Sequence, residues 1–251
     1  MKSKRSPPAV SSRRLPGAHS PRTNLILAAL SDVALQRVAS VGETVELAFG
    51  EVLYEQGEIE RYVYFPMDAY LSQISSLDDK TRIEVGLIGA EGMVGASSFF
   101  GIELAPLHTV VQGAGAALRL DAARFVHGLA RDPGFRAVIN RYLYVRLSQL
   151  GQMIVCVRFH TVEQRLARWL LMTRDRAASD TFQLTHQYLA LMLGVRRVGI
   201  TQAATYFQNQ KLIRYHRGTI TIVNGPRLQA TSCDCYGAAE RTYEQHMNSR
   251  P

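Results

Sequence analysis

The hydrophobic pattern of this chain changes period near Leu120, and that change restricts the architectures open to it. Upstream, apolar residues alternate or cluster in short runs. Val45, Leu47 and Phe49 alternate with Thr44, Glu46 and Ala48. Then come Val52-Leu53-Tyr54, Tyr62-Val63-Tyr64-Phe65, Tyr70 to Ile74, Arg82 to Ile88, Thr109-Val110-Val111 and Ala116 to Leu120. These runs are rich in β-branched and aromatic residues. Turn formers separate them: Gly50, Gly57, Asp78-Asp79 and Gly113-Ala114-Gly115. Seven or eight short strands at roughly ten-residue spacing predict a sandwich or jelly-roll barrel. Ahead of them, Asn24 to Val41 reads as one or two short helices.

Downstream the period is helical. Phe135, Ile139, Leu143, Leu147, Leu150, Ile154 and Val157 recur every three or four residues, after a cap and first-turn proline at Asp132-Pro133. A helix of about 25 residues would be roughly 37 Å long. Its seam approaches a coiled-coil period. This predicts contact between two subunits through Ile139, Leu143, Leu147, Leu150, Ile154 and Val157, with Tyr142 and Tyr144 packing at that interface. The competing reading lays the helix across its own barrel.

A break follows at Phe159-His160, and Thr161 with Gln164 forms a capping-box pattern for the next helix. Phe182-Gln183-Leu184 leads into Thr185, an N-cap for a helix that Gly194 ends. A second helix starts near Arg196 and runs to Phe207. Leu212 to Tyr215 and Thr219 to Val223 flank Arg217-Gly218 as a hairpin. Helix, glycine turn, helix and hairpin form the winged helix-turn-helix pattern, whose second helix enters the DNA major groove.

Charge agrees with that reading. The chain carries a net +8, yet residues 181–233 hold six basic side chains and no acid. Such a block fits a polyanion, nucleic acid ahead of membrane. Arg196 and Arg197 open the reading helix, and Arg is the commonest bidentate partner of guanine. Ile200, Thr201 and Gln202 follow on the same helix as candidate DNA contacts. Thr185, His186 and Gln187 begin the first helix, where amides can hold phosphate. Lys211, Arg214 and Arg217 lie at the wing and would add phosphate contacts.

From about residue 24 to 229 the chain resembles the Crp/Fnr family, the cyclic-AMP-receptor type of bacterial transcription regulator. The resemblance rests on an ordered set: Phe49-Gly50-Glu51-Val52-Leu53, Gln56-Gly57-Glu58 and Ile88 to Gly95 as a glycine-spaced β-roll; the long helix; then Leu184 to Arg197 with the hairpin. It implies an α+β fold. Residues 24–132 would be a β-roll, a cyclic-nucleotide-binding-like jelly-roll domain. Residues 133–158 would be a dimerisation helix, and 159–229 a winged helix-turn-helix domain. A disordered basic tail, residues 1–23, and a C-terminal extension, 230–251, flank these. The implied function is sequence-specific DNA binding by a homodimer on a near-palindromic operator, with RNA polymerase as a further partner.

The departures from the family pattern are specific. Cyclic-AMP binders hold ribose and phosphate with Gly-Glu and a later Arg-Ser. Here Gly95 is followed by Ala96, and Pro106-Leu107-His108 stands near the expected Arg-Ser. A buried phosphate without Arg would be an unpaired charge, so cyclic AMP is not expected to bind in the usual mode. Gly92, Val94, Gly95, Ala96, Leu107 and His108 remain candidates for the pocket of an unidentified small-molecule effector. In the reading helix, Val198 replaces the family's Glu, which predicts a different operator.

No cysteine precedes Cys156, which argues against the family's iron–sulfur cluster. Cys233-Asp234-Cys235 with His246 is too sparse for a zinc site; a segment packing back on the domain is the simpler expectation. Cys156 reads as a small apolar filler, His160 as a capping or packing residue and Trp169 as core. Three cysteines cannot build a disulfide scaffold, so a reducing cytoplasm is expected. No window is apolar enough for a membrane span. No Ser/His/Asp set, Walker loop or zinc-protease helix is present. The expectation is therefore no catalytic residue, no metal and no cofactor. The alternative function is a sensor or interaction module that controls another protein without specific DNA reading.

Overall fold

In the computed structural model the described residues are 20–78 and 81–247. The expected disordered tail concerns residues 1–23, of which 1–19 lie outside the described residues. Ordered structure begins before residue 24, since the Ser20 hydroxyl caps a single 3-10 turn at Pro21–Thr23. Asn24 starts helix α1 (Leu25–Ala28) and Ser31 starts α2 (Asp32–Val41). The buried Asn24 amide also donates to the carbonyls of Pro66 and Gly92, at 2.9 and 2.8 Å. That pair of bonds pins the helical lead to the strands.

The strands are β1 (Glu43–Leu47), β2 (Val52–Tyr54), β3 (Tyr62–Pro66), β4 (Tyr70–Ser76), β5 (Arg82–Ile88), β6 (His108–Gly113) and β7 (Gly115–Asp121). They form two antiparallel sheets, in the orders β1-β7-β3 and β2-β6-β4-β5. Leu47, Tyr54, Tyr64, Leu71, Ile88 and Val111 form one core of this roll. Helix α3 (Ala122–Arg131), capped by Asp121, follows without a break. Its Phe125 is fully buried between Phe65 and Phe135. The sequence reading set the start of the long helix at Asp132-Pro133 but named no separate helix between Leu120 and Asp132.

Over its first half, helix α4 (Pro133–Phe159) follows the reading that lays it across the chain's own barrel. Phe135, Val138, Ile139, Tyr142 and Val145 are buried against the chain's own roll. Ile139 is thus intramolecular core and not an interface residue. Tyr142 likewise points inward, accepting from the Met93 amide and donating to its carbonyl, both at 3.0 Å. Farther along, Leu147 and Ile154 are 69% and 72% exposed, Val157 is exposed, and Leu143 and Leu150 are half-buried. These five residues recur at 4, 3, 4 and 3, a heptad seam that no element among the described residues fully covers.

The C-terminal part comprises α5 (Val162–Ala177), β8 (Thr181–Gln183), α6 (His186–Leu193), α7 (Arg197–Asn209), β9 (Ile213–His216), β10 (Thr219–Ile222), α8 (Gly225–Thr231) and α9 (Cys235–Met247). Leu166, Leu170, Leu189, Ile200, Phe207, Ile220 and Leu228 form its core; each such side chain contributes roughly 1.5–3 kcal/mol on burial. Ile200 is fully buried here and cannot touch DNA, which corrects its assignment as a contact. The C-terminal extension is a helix running back along α4. Met247 of α9 is buried with the roll's flanking helices, and the His246 and Tyr144 rings lie 4.8 Å apart.

The two halves are docked by polar pairs. Trp169 Nε1 donates to Glu84 Oε1 at 2.9 Å, Arg176 pairs with Glu91 at 2.6 Å, and the Tyr188 hydroxyl donates to Gln112. Among the described residues no helix is long and apolar enough to cross a membrane.

Candidate nucleic-acid interface

Three local decisions of the chain build this surface. First, Thr185 caps α6, its hydroxyl accepting from the Tyr188 amide at 3.1 Å. The first-turn amides of that helix carry its positive dipole end. Second, Gly194 terminates α6 in the left-handed region, φ 62°, where a side chain would be strained. The turn places the exposed Arg196 at the N-cap of α7. Third, the β9–β10 hairpin closes through Arg217 and Gly218, φ 48° and 81°, the pair of positive angles a tight type I′ turn requires. The Leu184 amide donates to the Gly218 carbonyl at 2.6 Å. The wing tip therefore lies beside the start of α6.

Helix α7 divides cleanly. Ile200, Ala203, Ala204 and Phe207 are buried, while Arg197, Val198, Thr201, Gln202, Thr205 and Tyr206 are exposed. The exposed set follows i, i+4 and i+8 from both Arg197 and Val198, so it forms one face. Val198, Thr205 and Tyr206 were not among the contact candidates, although extending that spacing from Thr201 and Gln202 finds them. Thr185, Gln187, Lys211, Arg214 and Arg217 are exposed as well, and Thr185 lies beside Gly218 at the wing tip.

His186 differs from the other candidates. It is half-buried, its ring stacks on Tyr215 at 4.2 Å, and Nδ1 lies 3.1 Å from the Thr201 hydroxyl. Thr201 donates its own proton to the Arg197 carbonyl, so His186 Nδ1 must be the donor in that pair. Burial, and secondarily the Arg197 charge, push His186 below the usual histidine range. A neutral His186 thus braces the reading helix.

The six effector-pocket candidates do not converge. A side chain at Gly92 would strike Tyr142, and one at Gly95, φ 85°, would overlap the Tyr62 carbonyl. Val94 is buried in a backbone bridge to Tyr64, and half-buried Ala96 packs on the core beneath α4. The Tyr54 hydroxyl fills the space beside Gly95 and donates to the Tyr62 carbonyl. Half-buried Leu107 precedes His108, which pairs with Glu55 at 2.8 Å over a shallow polar surface with Ser76 and Arg82. The glycines serve close packing here, and Tyr54 and Tyr64 share the roll interior with aliphatic side chains.

Residues 164–231 match the Crp-like helix-turn-helix domain model. The nitrogen fixation regulation protein FixK of Bradyrhizobium diazoefficiens is 23% identical over 219 residues, covering 83% of this chain and 90% of that protein. Among solved structures, a Crp/Fnr-family transcriptional regulator of Eubacterium rectale superposes with a TM-score of 0.68 at 18% identity, covering 82% of this chain and 96% of that one. FixK2 of Bradyrhizobium japonicum superposes with a TM-score of 0.65 at 16% identity, covering 77% and 98%. These two likenesses show a shared fold, from β-roll through long helix to winged domain.

Proposed function

We propose that the chain is a DNA-binding transcription regulator of the Crp/Fnr type that acts as a homodimer on a near-palindromic operator, a reading supported by the Crp-like helix-turn-helix match over residues 164–231. The observation that carries this reading is the pairing of two exposed features on one scaffold. One is the polar face of α7 headed by Arg196 and Arg197. The other is the partly exposed heptad seam of α4. Two seams packed on a two-fold axis would present two α7 helices to half-sites about one DNA turn apart, roughly 34 Å.

In this reading Arg197 and Gln202 address base edges, and Val198 offers an apolar contact to a thymine methyl group. Thr185, Gln187, Lys211, Arg214 and Arg217 hold the phosphates on either side. The Tyr54 hydroxyl beside Gly95 supports the view that the roll does not take cyclic AMP in the usual mode. The dimer on its operator would in turn contact RNA polymerase. Fluorescence anisotropy with operator and scrambled duplexes across salt tests the proposal. Specific reading gives a steep negative salt slope plus a sequence-dependent excess. Equal binding to both duplexes favours the interaction-module alternative instead.

A further inference from the structure

Cys156 and His160 lie one helical turn apart at the end of α4, and Cys233 and Cys235 lie where the chain passes from α8 into α9. The fold brings these four residues together, although Cys156 and Cys233 are 77 positions apart in sequence. Their ligand atoms all fall within 4.8 Å of one another. The Cys156 and Cys233 sulfurs are 3.7 Å apart, and Cys235 Sγ is 3.4 Å from His160 Nδ1. The three cysteines are buried and His160 is half-buried.

We propose that this cluster is a structural zinc site of the Cys3His type that fixes the angle between the long helix and the DNA-binding domain. Tetrahedral zinc, with Zn–S about 2.3 Å and Zn–N about 2.0 Å, has edges of roughly 3.8 Å between sulfurs and about 3.5 Å between sulfur and nitrogen. The two measured separations sit at those edges. The widest edge needs to close by only about 1 Å. Four protein ligands close the coordination sphere, which is the structural form of such sites and not the catalytic one. On binding, each of the three thiols releases its proton to solvent and the imidazole binds neutral.

The surroundings suit a thiolate-rich centre. Three thiolates on a divalent cation leave one net negative charge, and hydrogen-bond donors face it. Gln152 Nε2 donates to Cys235 Sγ at 3.0 Å, and Arg168 Nη1 lies 3.9 Å from Cys156 Sγ. A disulfide is the competing chemistry. It would pull one sulfur pair to about 2.05 Å and leave Cys235 and His160 with no shared role.

The location gives the site a consequence. Cys156 and His160 flank the break between α4 and α5, and Cys233 and Cys235 anchor α9. One helical turn into α5, the buried Arg165 donates to the Leu193 carbonyl at the turn before α7. A metal there would hold the reading helices of a dimer at one fixed separation.

The test uses the full chain, purified under reducing conditions without DNA, so it stands or falls apart from the DNA-reading proposal. Metal analysis should give one zinc per chain. Titration of the reduced apoprotein with cobalt(II) should give the intense visible bands of a tetrahedral thiolate complex. Cys235→Ser and His160→Gln should lose the stoichiometric metal. Gln152→Ala keeps all four ligands and should weaken affinity roughly 10–100-fold. Absence of both zinc and the tetrahedral cobalt spectrum in the folded wild-type chain overturns the proposal. So does a Cys156–Cys233 disulfide in protein isolated without reductant that holds no metal.

Discussion

The Trp169 indole donates to the Glu84 carboxylate at 2.9 Å, joining α5 of the DNA-binding half to β5 of the roll through a buried acid. The Ser72 hydroxyl donates to the other oxygen of that carboxylate at 2.5 Å. Burial outweighs both bonds and pushes Glu84 up to about 7. An acid whose folded pKa is raised binds its proton more tightly in the native state than in the unfolded one. Stability should therefore be highest below the unfolded value near 4.5 and fall as pH rises through about 7. A shift of this size is on the order of 3 kcal/mol. Thermal melts of wild type and Glu84→Gln at pH 5 and about pH 8 check this. The wild type should lose stability across that window and the variant should lose much less.

Arg197→Ala should remove sequence discrimination, costing about 1–3 kcal/mol at the operator, while the dimer and its thermal stability persist. Replacing Arg217 or Lys211 by Gln should behave differently. Binding to all duplexes should weaken together, and the salt slope should fall by about one for each phosphate left without its cation. Salt-dependent anisotropy on both kinds of variant separates base reading from phosphate positioning.

Leu147→Glu with Ile154→Glu should convert the dimer to a monomer without unfolding it. Both side chains are largely exposed in the single chain, so no core is disturbed. Light scattering reads the mass, and operator affinity should fall with it. Ile139→Glu, by contrast, should unfold the chain, because that residue is fully buried beneath the roll.

Two glycine substitutions should have opposite signs. Gly199 lies in α7, and an added Cβ would meet only Val162 at 3.8 Å, an ordinary van der Waals distance. Gly199→Ala should stabilise by about 0.5–1 kcal/mol. Gly95 has φ 85° and faces the Tyr62 carbonyl, so Gly95→Ala should destabilise by more than that gain. Chemical denaturation of the two variants measures both.

Much of the fold was legible because period encodes element type. The alternation through Val45 and Leu47, the seam from Leu143 to Val157 and the stop at Gly194 are all local signals. What could not be read depends on tertiary company. Ile139 and Leu147 both fit the helical repeat, yet one is buried against the chain's own roll and the other is 69% exposed. Ile200 sits one turn from Arg196, but only the packed domain shows that its side of α7 faces inward. Helix α9 was invisible as a helix because its apolar residues are sparse and answer to α4. The cysteine cluster was hidden for the same reason. Its four members come from two short segments far apart in sequence, and His246, the histidine nearer in sequence to Cys233 and Cys235, packs edge-on against Tyr144 instead.

The central claim is that paired α7 helices read DNA on a two-fold scaffold. Selection of bound duplexes from a random-sequence pool by the full-length protein, followed by sequencing, tests it most directly. The account predicts enrichment of an inverted repeat with half-site centres roughly 34 Å apart, an enrichment that disappears in Arg197→Ala. A pool that shows no enriched sequence, or a single unrepeated site bound equally well by Arg197→Ala, would contradict it.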